Sequence, residues 1–203
     1  MSAAPDWPIL TERLLLRPFR DDDFGGLHAI QSSEEVARWL YNDARTEAET
    51  RDLLARKIRG TAFAAEGDWL SAAVTLSDGG TFVGDIALHW VSELHRCGEI
   101  GFTFDPEHQG RGYATEAARA ILPFAFETMG WHRLIGRTEV RNIGSARVLE
   151  KLGMRLEAHL VENEWVKGEW QSELDYALLA SEWRGVGSRH GAEEPSSRRD
   201  CGR

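Results

Sequence analysis

Gln109-Gly110-Arg111-Gly112-Tyr113-Ala114-Thr115 is the stretch of this chain best suited to hold an anion. It joins an alternating, strand-like run to a helix with one apolar side. A glycine-rich turn at that place gathers backbone N–H groups at the positive end of a helix dipole, which suits a diphosphate. A plain tight connection would use glycine as well. The stretch lacks both the three-glycine dinucleotide fingerprint and the Gly-Lys-Ser/Thr ending of a P-loop, so nicotinamide and ATP gain little support. Further groups with chemistry to offer are the Ser145 hydroxyl, three residues after Asn142, and the Glu99 carboxylate. Asn142 and Ser145 open a helical run, where capping alone accounts for both. No Gly-x-Ser-x-Gly elbow is present, and His89 with His95 has no third partner at a zinc-like spacing, so no metal is expected.

Elements on both sides must position these groups. Glu99-Ile100-Gly101-Phe102-Thr103-Phe104 alternates, with Ile100, Phe102 and Phe104 on one face of a strand and Glu99, Gly101 and Thr103 on the other. Ala114, Ala117, Ala118, Ile121, Leu122, Ala125 and Phe126 recur at helical spacing, so a helix from Gly112 to about Met129 must pack one side on a sheet. Pro123 falls inside it and predicts a bend near Arg119 to Pro123. Earlier, a strand is expected at Leu14 to Arg17, a short helix after Asp21-Asp22-Asp23, a helix from about Glu47 to Ala65, and a hairpin of Trp69–Leu76 with Phe82–Val91. Later come strand Leu134–Val140, helix Ile143–Leu152 capped by Asn142 and closed by Gly153, and strands Met154–Asn163 and Trp170–Leu179. The pattern is a mixed α/β sheet.

The run His108 to Ala117, with Gln109-x-x-Gly112-x-Ala114 inside it, resembles the acyl-CoA loop of the GCN5-related N-acetyltransferase (GNAT) superfamily, in its RimJ/RimL-like ribosomal-protein N-terminal acetyltransferase branch. Thr11 to Pro18, Asn142 to Met154, Gly168-Glu169-Trp170 and Asp175 to Leu179 resemble three further segments of that branch, so that the resemblance covers roughly residues 9 to 184. It implies a central mixed, mostly antiparallel, seven-stranded sheet with a splayed central strand pair, flanked by about four helices. It also implies acetyl-CoA as cosubstrate. The backbone of Gln109, Gly110, Arg111, Gly112, Tyr113, Ala114 and Thr115 would hold the diphosphate, and the main chain of Phe102, Thr103 and Phe104 the pantetheine arm. Asn142 would contact the cofactor, and Ser145 would protonate or stabilise the leaving thiolate. Glu99 would be the general base through a water, or else an ion-pair partner; Asp85 and His89 are weaker substitutes. Arg111, and Arg147 or Lys151, could meet phosphates or remain solvated. Trp39 and Trp165 could wall an amine pocket or fill core.

The 203 residues, 42% hydrophobic, suit one domain, here 1–184, followed by a tail at 185–203 with little to bury. The net charge of −9 disfavours nucleic acid and suits a cationic acceptor. Two cysteines without framework spacing point to the reducing cytoplasm, and no run is long and apolar enough to expect a membrane span or a leader. The expected acceptor is a protein N-terminal α-amino group or a small primary amine; the competing reading is a non-catalytic acyl-CoA-binding or sensor module. A homodimer, built around the hairpin from Val161 to Gly168, is a further expectation of the resemblance.

Overall fold

Two short apolar runs, Ile9–Leu10 (β1) and Leu14–Arg17 (β2), begin a sheet that continues through Trp69–Leu76 (β3), Phe82–Ser92 (β4) and Cys97–Phe104 (β5), each antiparallel to the strand before. Arg133–Glu139 (β6) pairs parallel with β5. Arg155–Val166 (β7) and Glu169–Leu179 (β8) form a hairpin whose second strand joins β6, giving the order β1-β2-β3-β4-β5-β6-β8-β7. The computed structural model describes residues 2–187; of the tail expected at 185–203, residues 188–203 lie outside these. The sheet has eight strands rather than seven because β1, two residues long, is too short for alternation to announce it.

Among the described residues six helices replace the expected four or so: Phe24–Gln31 (α1), Glu34–Ala37 (α2), Glu47–Arg59 (α3), Tyr113–Pro123 (α4), Ile143–Lys151 (α5) and Ala180–Gly187 (α6). The single turn of α2 carries no helical period, and α6 runs past the domain end expected at residue 184. α3 opens on a reciprocal cap between Thr46 and Glu49 and stops at Gly60, short of Ala65. Beyond it, the N–H groups of Ala64 and Ala65 donate to the Asp68 carboxylate instead of to helix carbonyls. Pro123 keeps helical angles, and the irregularity lies after it rather than before: Phe124–Thr128 winds with the wider π spacing, Met129 N–H donating to the Phe124 carbonyl.

The larger core lies between the sheet and α4 and α5, where Ala117, Ala118 and Ile121 meet Leu16, Val74, Ile86, Leu88 and Ile100. Only a residue without Cβ fits at Gly98, since that atom would stand 2.0 Å from the Trp131 ring. On the opposite face α1 and α3 cover β3 and β4 through Leu27, Leu54, Phe19 and Ala73.

One irregularity of the sheet creates the site. β5 and β6 pair only at Cys97↔Arg133, Gly98↔Leu134 and Glu99↔Ile135. Beyond these rungs β5 stays paired with β4 as far as Phe104, and β6 with β8 as far as Glu139. The two strands therefore part after Glu99 and Ile135, as a splayed central pair.

Candidate active site

Both helices that follow the parted strands begin at the same end of the sheet, because β5 and β6 are parallel and are followed by α4 and α5, the first after a 3-10 turn at Pro106–His108 and the glycine turn. Ligands of parallel strands gather at such carboxyl ends. At α4, Gly110 (φ 73°) and Gly112 (φ 83°) take the left-handed conformation that other residues adopt at a cost. Among the described residues no side chain caps α4. Its first internal bond runs from Glu116 N–H to the Gly112 carbonyl, so the N–H groups of Tyr113, Ala114 and Thr115 have no partner within the helix. Space is open at Gly110, where a Cβ would meet nothing within 4 Å.

The turn is held from outside by residues the sequence reading did not single out. Arg13 meets Glu116 at 2.6 Å, donates to the Arg111 carbonyl at 3.0 Å, and lies 4.8 Å from the centre of the Tyr113 ring. Thr11 donates to the same Glu116 carboxylate at 2.6 Å. Burial works to raise the Glu116 pKa, but the hydrogen bonds from Thr11 and Arg13 outweigh it and hold the carboxyl below its usual range. Gln109 reaches back to the Phe104 carbonyl at 3.4 Å, joining the turn to the end of β5. Arg111 is exposed.

Across the gap, the Asn142 side chain accepts from Ser145 N–H at 3.1 Å and caps α5, leaving the half-buried Ser145 hydroxyl free of that duty. Phe102, Thr103 and Phe104 lie beyond the last rung with β6, so one edge of their backbone faces the gap. Phe102 and Phe104 point to the α4 core; Thr103 shares the other face with Glu99.

That other face gathers carboxylates. Arg137 lies 3.9 Å from Glu99 and 3.9 Å from Asp175, above a cleft of about 400 Å³ that also touches Cys97, Ile135 and Tyr176. Burial pushes the Cys97 thiol up. Glu173, two residues before Asp175 on β8, is only 8% exposed. Its pKa is pushed up to about 7, by burial first and then by the charges of Glu164 and Asp175. Tyr41, from the segment between α2 and α3, donates to Glu164 at 2.7 Å, and its phenol is shifted upward by burial and by that bond. Lys167 fastens the end of α2, just before that segment, through the Ala37 carbonyl at 2.6 Å.

Residues 13–155 match the family model described as the acetyltransferase (GNAT) domain, well over half of the chain. This chain is a GNAT acetyltransferase. The uncharacterized N-acetyltransferase YnaD of Bacillus subtilis is 33% identical to it over 176 residues, covering 86% of this chain and 98% of that protein. The GNAT-family acetyltransferase of Bacillus anthracis superimposes with a TM-score of 0.77 at 33% identity, over 86% of this chain and 99% of the other. The fold also matches the spermidine N-acetyltransferase of Vibrio cholerae, solved in complex with CoA and spermine, with a TM-score of 0.72 at 21% identity over 86% and 99% of the two chains. The chain is thus an N-acetyltransferase, and the parted strands belong to a fold it shares with that family.

Several side chains considered in the sequence stand elsewhere in this GNAT enzyme. Asp85 is no free base: it lies buried in an ion pair with Lys57 at 2.6 Å. His89 stacks on Trp69 at 4.4 Å between centroids. Arg147 and Lys151 are exposed. Trp39 sits half-buried beneath the Arg38 guanidinium. Trp165 packs against Trp170 and, following Glu164 in a strand, points to the opposite face from the carboxylates. Among the described residues no three His, Cys, Asp or Glu side chains are grouped to hold a metal ion, and no helix is long and apolar enough to cross a membrane.

Proposed function

We propose that this enzyme takes acetyl-CoA as its donor and passes the acetyl group directly to a primary amine in a ternary complex, with no acyl-enzyme. One observation carries the reading: the gap between β5 and β6 opens onto the uncapped start of α4. An unpaired strand edge suits the amides of a pantetheine arm, and unpartnered N–H groups at the positive end of a helix suit a diphosphate. In this reading the backbone of residues 110–115 holds the diphosphate, with Gln109 and Arg111 beside it. The main chain of Phe102, Thr103 and Phe104 lines the arm and supplies a donor to the oxygen that gains charge. The amine nitrogen bonds to the carbonyl carbon as the carbon–sulfur bond breaks. Glu99, at the rung where the strands part, takes the ammonium proton through water, and Ser145, beside the Asn142 contact, gives a proton to the departing thiolate.

The acceptor in this reading is a protein α-amino group, as the RimJ/RimL-like motifs suggest, or a small amine. The carboxylates around Arg137 favour a cation in either case. The catalytic domain is taken as residues 1–184, working in the cytoplasm, where the free Cys97 thiol stays reduced. A homodimer through the β7–β8 hairpin is supported by the apolar surface there, with Val161, Trp165 and Trp170 respectively 69%, 61% and 56% exposed. The test is release of CoA thiol from acetyl-CoA in the presence of N-terminal peptides and small amines. Amine-dependent release is expected; none with any primary amine would remove the reading.

A further inference from the structure

Among the described residues Glu173 is a carboxylate without a partner in a place where partners are needed. It is more than nine-tenths buried, and burying a carboxylate is costly unless the charge is paired or the group takes up a proton. Among the described residues no hydrogen bond favours its ionised form, and of its charged surroundings there only Arg137 does so; Glu164 on β7, Asp175 on its own strand and Glu99 on β5 all oppose it. Arg137 is itself shared between Glu99 and Asp175. The neighbouring Glu139 on β6 is engaged by Arg141 at 2.8 Å. Asp175 likewise keeps a buried Oδ1 without a hydrogen-bond partner among the described residues. The fold thus holds more carboxylate than cation here, and closes the cluster with Tyr41 on Glu164.

Resting on the reading of the slot as an amine acetyltransferase site, we propose that Glu173 is a specificity-determining residue: with Glu164 and Asp175 it binds the second ammonium of a small acceptor that carries two amine nitrogens. Glu99 and Glu173 lie on one face of the sheet, on strands separated by β6. Glu173 stands opposite Glu139, four residues further along β6 than the Ile135 that faces Glu99. At about 3.3 Å per residue this step, together with the width of two strand spacings, separates the two carboxylates by a distance that a flexible diamine with several methylenes spans. A monoamine satisfies Glu99 and leaves Glu173 unpaired. An organic dication suits the cluster better than a metal ion, since among the described residues no three carboxylates stand close enough to ligate a metal, whereas an ammonium on a methylene chain is held by carboxylates spaced more widely around it.

The experiment compares straight-chain monoamines with α,ω-diamines of matched length as acceptors for the full chain with acetyl-CoA, in the wild type and in Glu173→Gln. The wild type is expected to favour diamines by about tenfold or more in kcat/KM. Glu173→Gln, isosteric and neutral, should abolish that preference through KM, leaving monoamine turnover and the KM for acetyl-CoA unchanged. A merely structural role predicts no specific loss. Calorimetry near pH 7 in two buffers of different ionisation enthalpy gives a second readout: diamine binding should release protons in the wild type and not in Glu173→Gln. An equal preference in the variant, or none in the wild type, overturns the proposal while acetylation of monoamines or peptides leaves the broader reading intact. If no amine is acetylated, the broader reading falls and this one with it.

Discussion

Arg13 and Glu116 are 103 residues apart, yet their side chains meet at 2.6 Å and fix the turn that precedes α4. Arg13, the residue before β2, also holds the Arg111 carbonyl, so the β1–β2 edge of the sheet and the glycine turn are ordered together. Ordering before binding removes an entropic cost that a loose loop meets on each encounter. Glu116→Gln should therefore raise the KM for acetyl-CoA by about five- to tenfold, equivalent to roughly 1 kcal/mol, and change kcat by less than about twofold. Steady-state kinetics at saturating amine checks this; an unchanged KM would separate the pair from cofactor binding.

Ser145 and Asn142 can be told apart by substitution. The cap uses the Ser145 backbone N–H, which alanine retains. Ser145→Ala is expected to keep its melting temperature and lose about 10²-fold in kcat, the usual scale of a lost general acid. Asn142→Ala should instead destabilise the fold by about 1 kcal/mol through the lost cap. A Ser145→Ala enzyme with full turnover would leave Ser145 as a helix-start residue only.

Much of this was legible in the chain because the signals were local. Alternation from Glu99 to Phe104, the glycine pair at 110 and 112, Asn142 before α5 and Gly153 after it each depend on near neighbours in sequence, and each took the expected form. Partners brought together by topology were not readable. Nothing near Asp85 reveals Lys57, which reaches it from α3, and nothing near Glu173 reveals that Tyr41 and Glu164 close the space beside it. Glu116 stood inside the recognised motif, but its role depends on Arg13 at the far end of the chain. The end of α3 is not legible locally either, because Asp68 takes over the amides of Ala64 and Ala65 after Gly60.

The Lys57–Asp85 pair makes a stability prediction. Both side chains are largely buried, so removing one leaves the other charged and unpaired. Asp85→Ala should cost about 3–5 kcal/mol in chemical denaturation. The kcat per folded molecule should stay within about twofold, whereas a large selective loss of kcat would return Asp85 to the chemistry.

Glu173 gives the fold a pH dependence. Its folded pKa of about 7 lies above the ordinary 4.5, so the folded chain binds this proton more tightly than the unfolded chain. Its contribution to stability is full below about 4.5 and is lost as pH rises through about 7. Glu173→Gln should accordingly be more stable than the wild type at pH 8, by about 1–3 kcal/mol, and nearly equal to it at pH 4. Parallel denaturation curves at the two pH values decide it; a variant less stable at pH 8 would mean that the ionised carboxylate is well paired.

The central claim is that backbone amides at the start of α4 receive the diphosphate of CoA. The most direct measurement is an amide NMR titration of the ¹⁵N-labelled protein with CoA. The largest shifts are expected at residues 110–115, with a second group at Phe102, Thr103 and Phe104 on the free edge of β5. Saturable binding that leaves the amides of 110–115 unmoved, or no binding at millimolar CoA, would contradict the account.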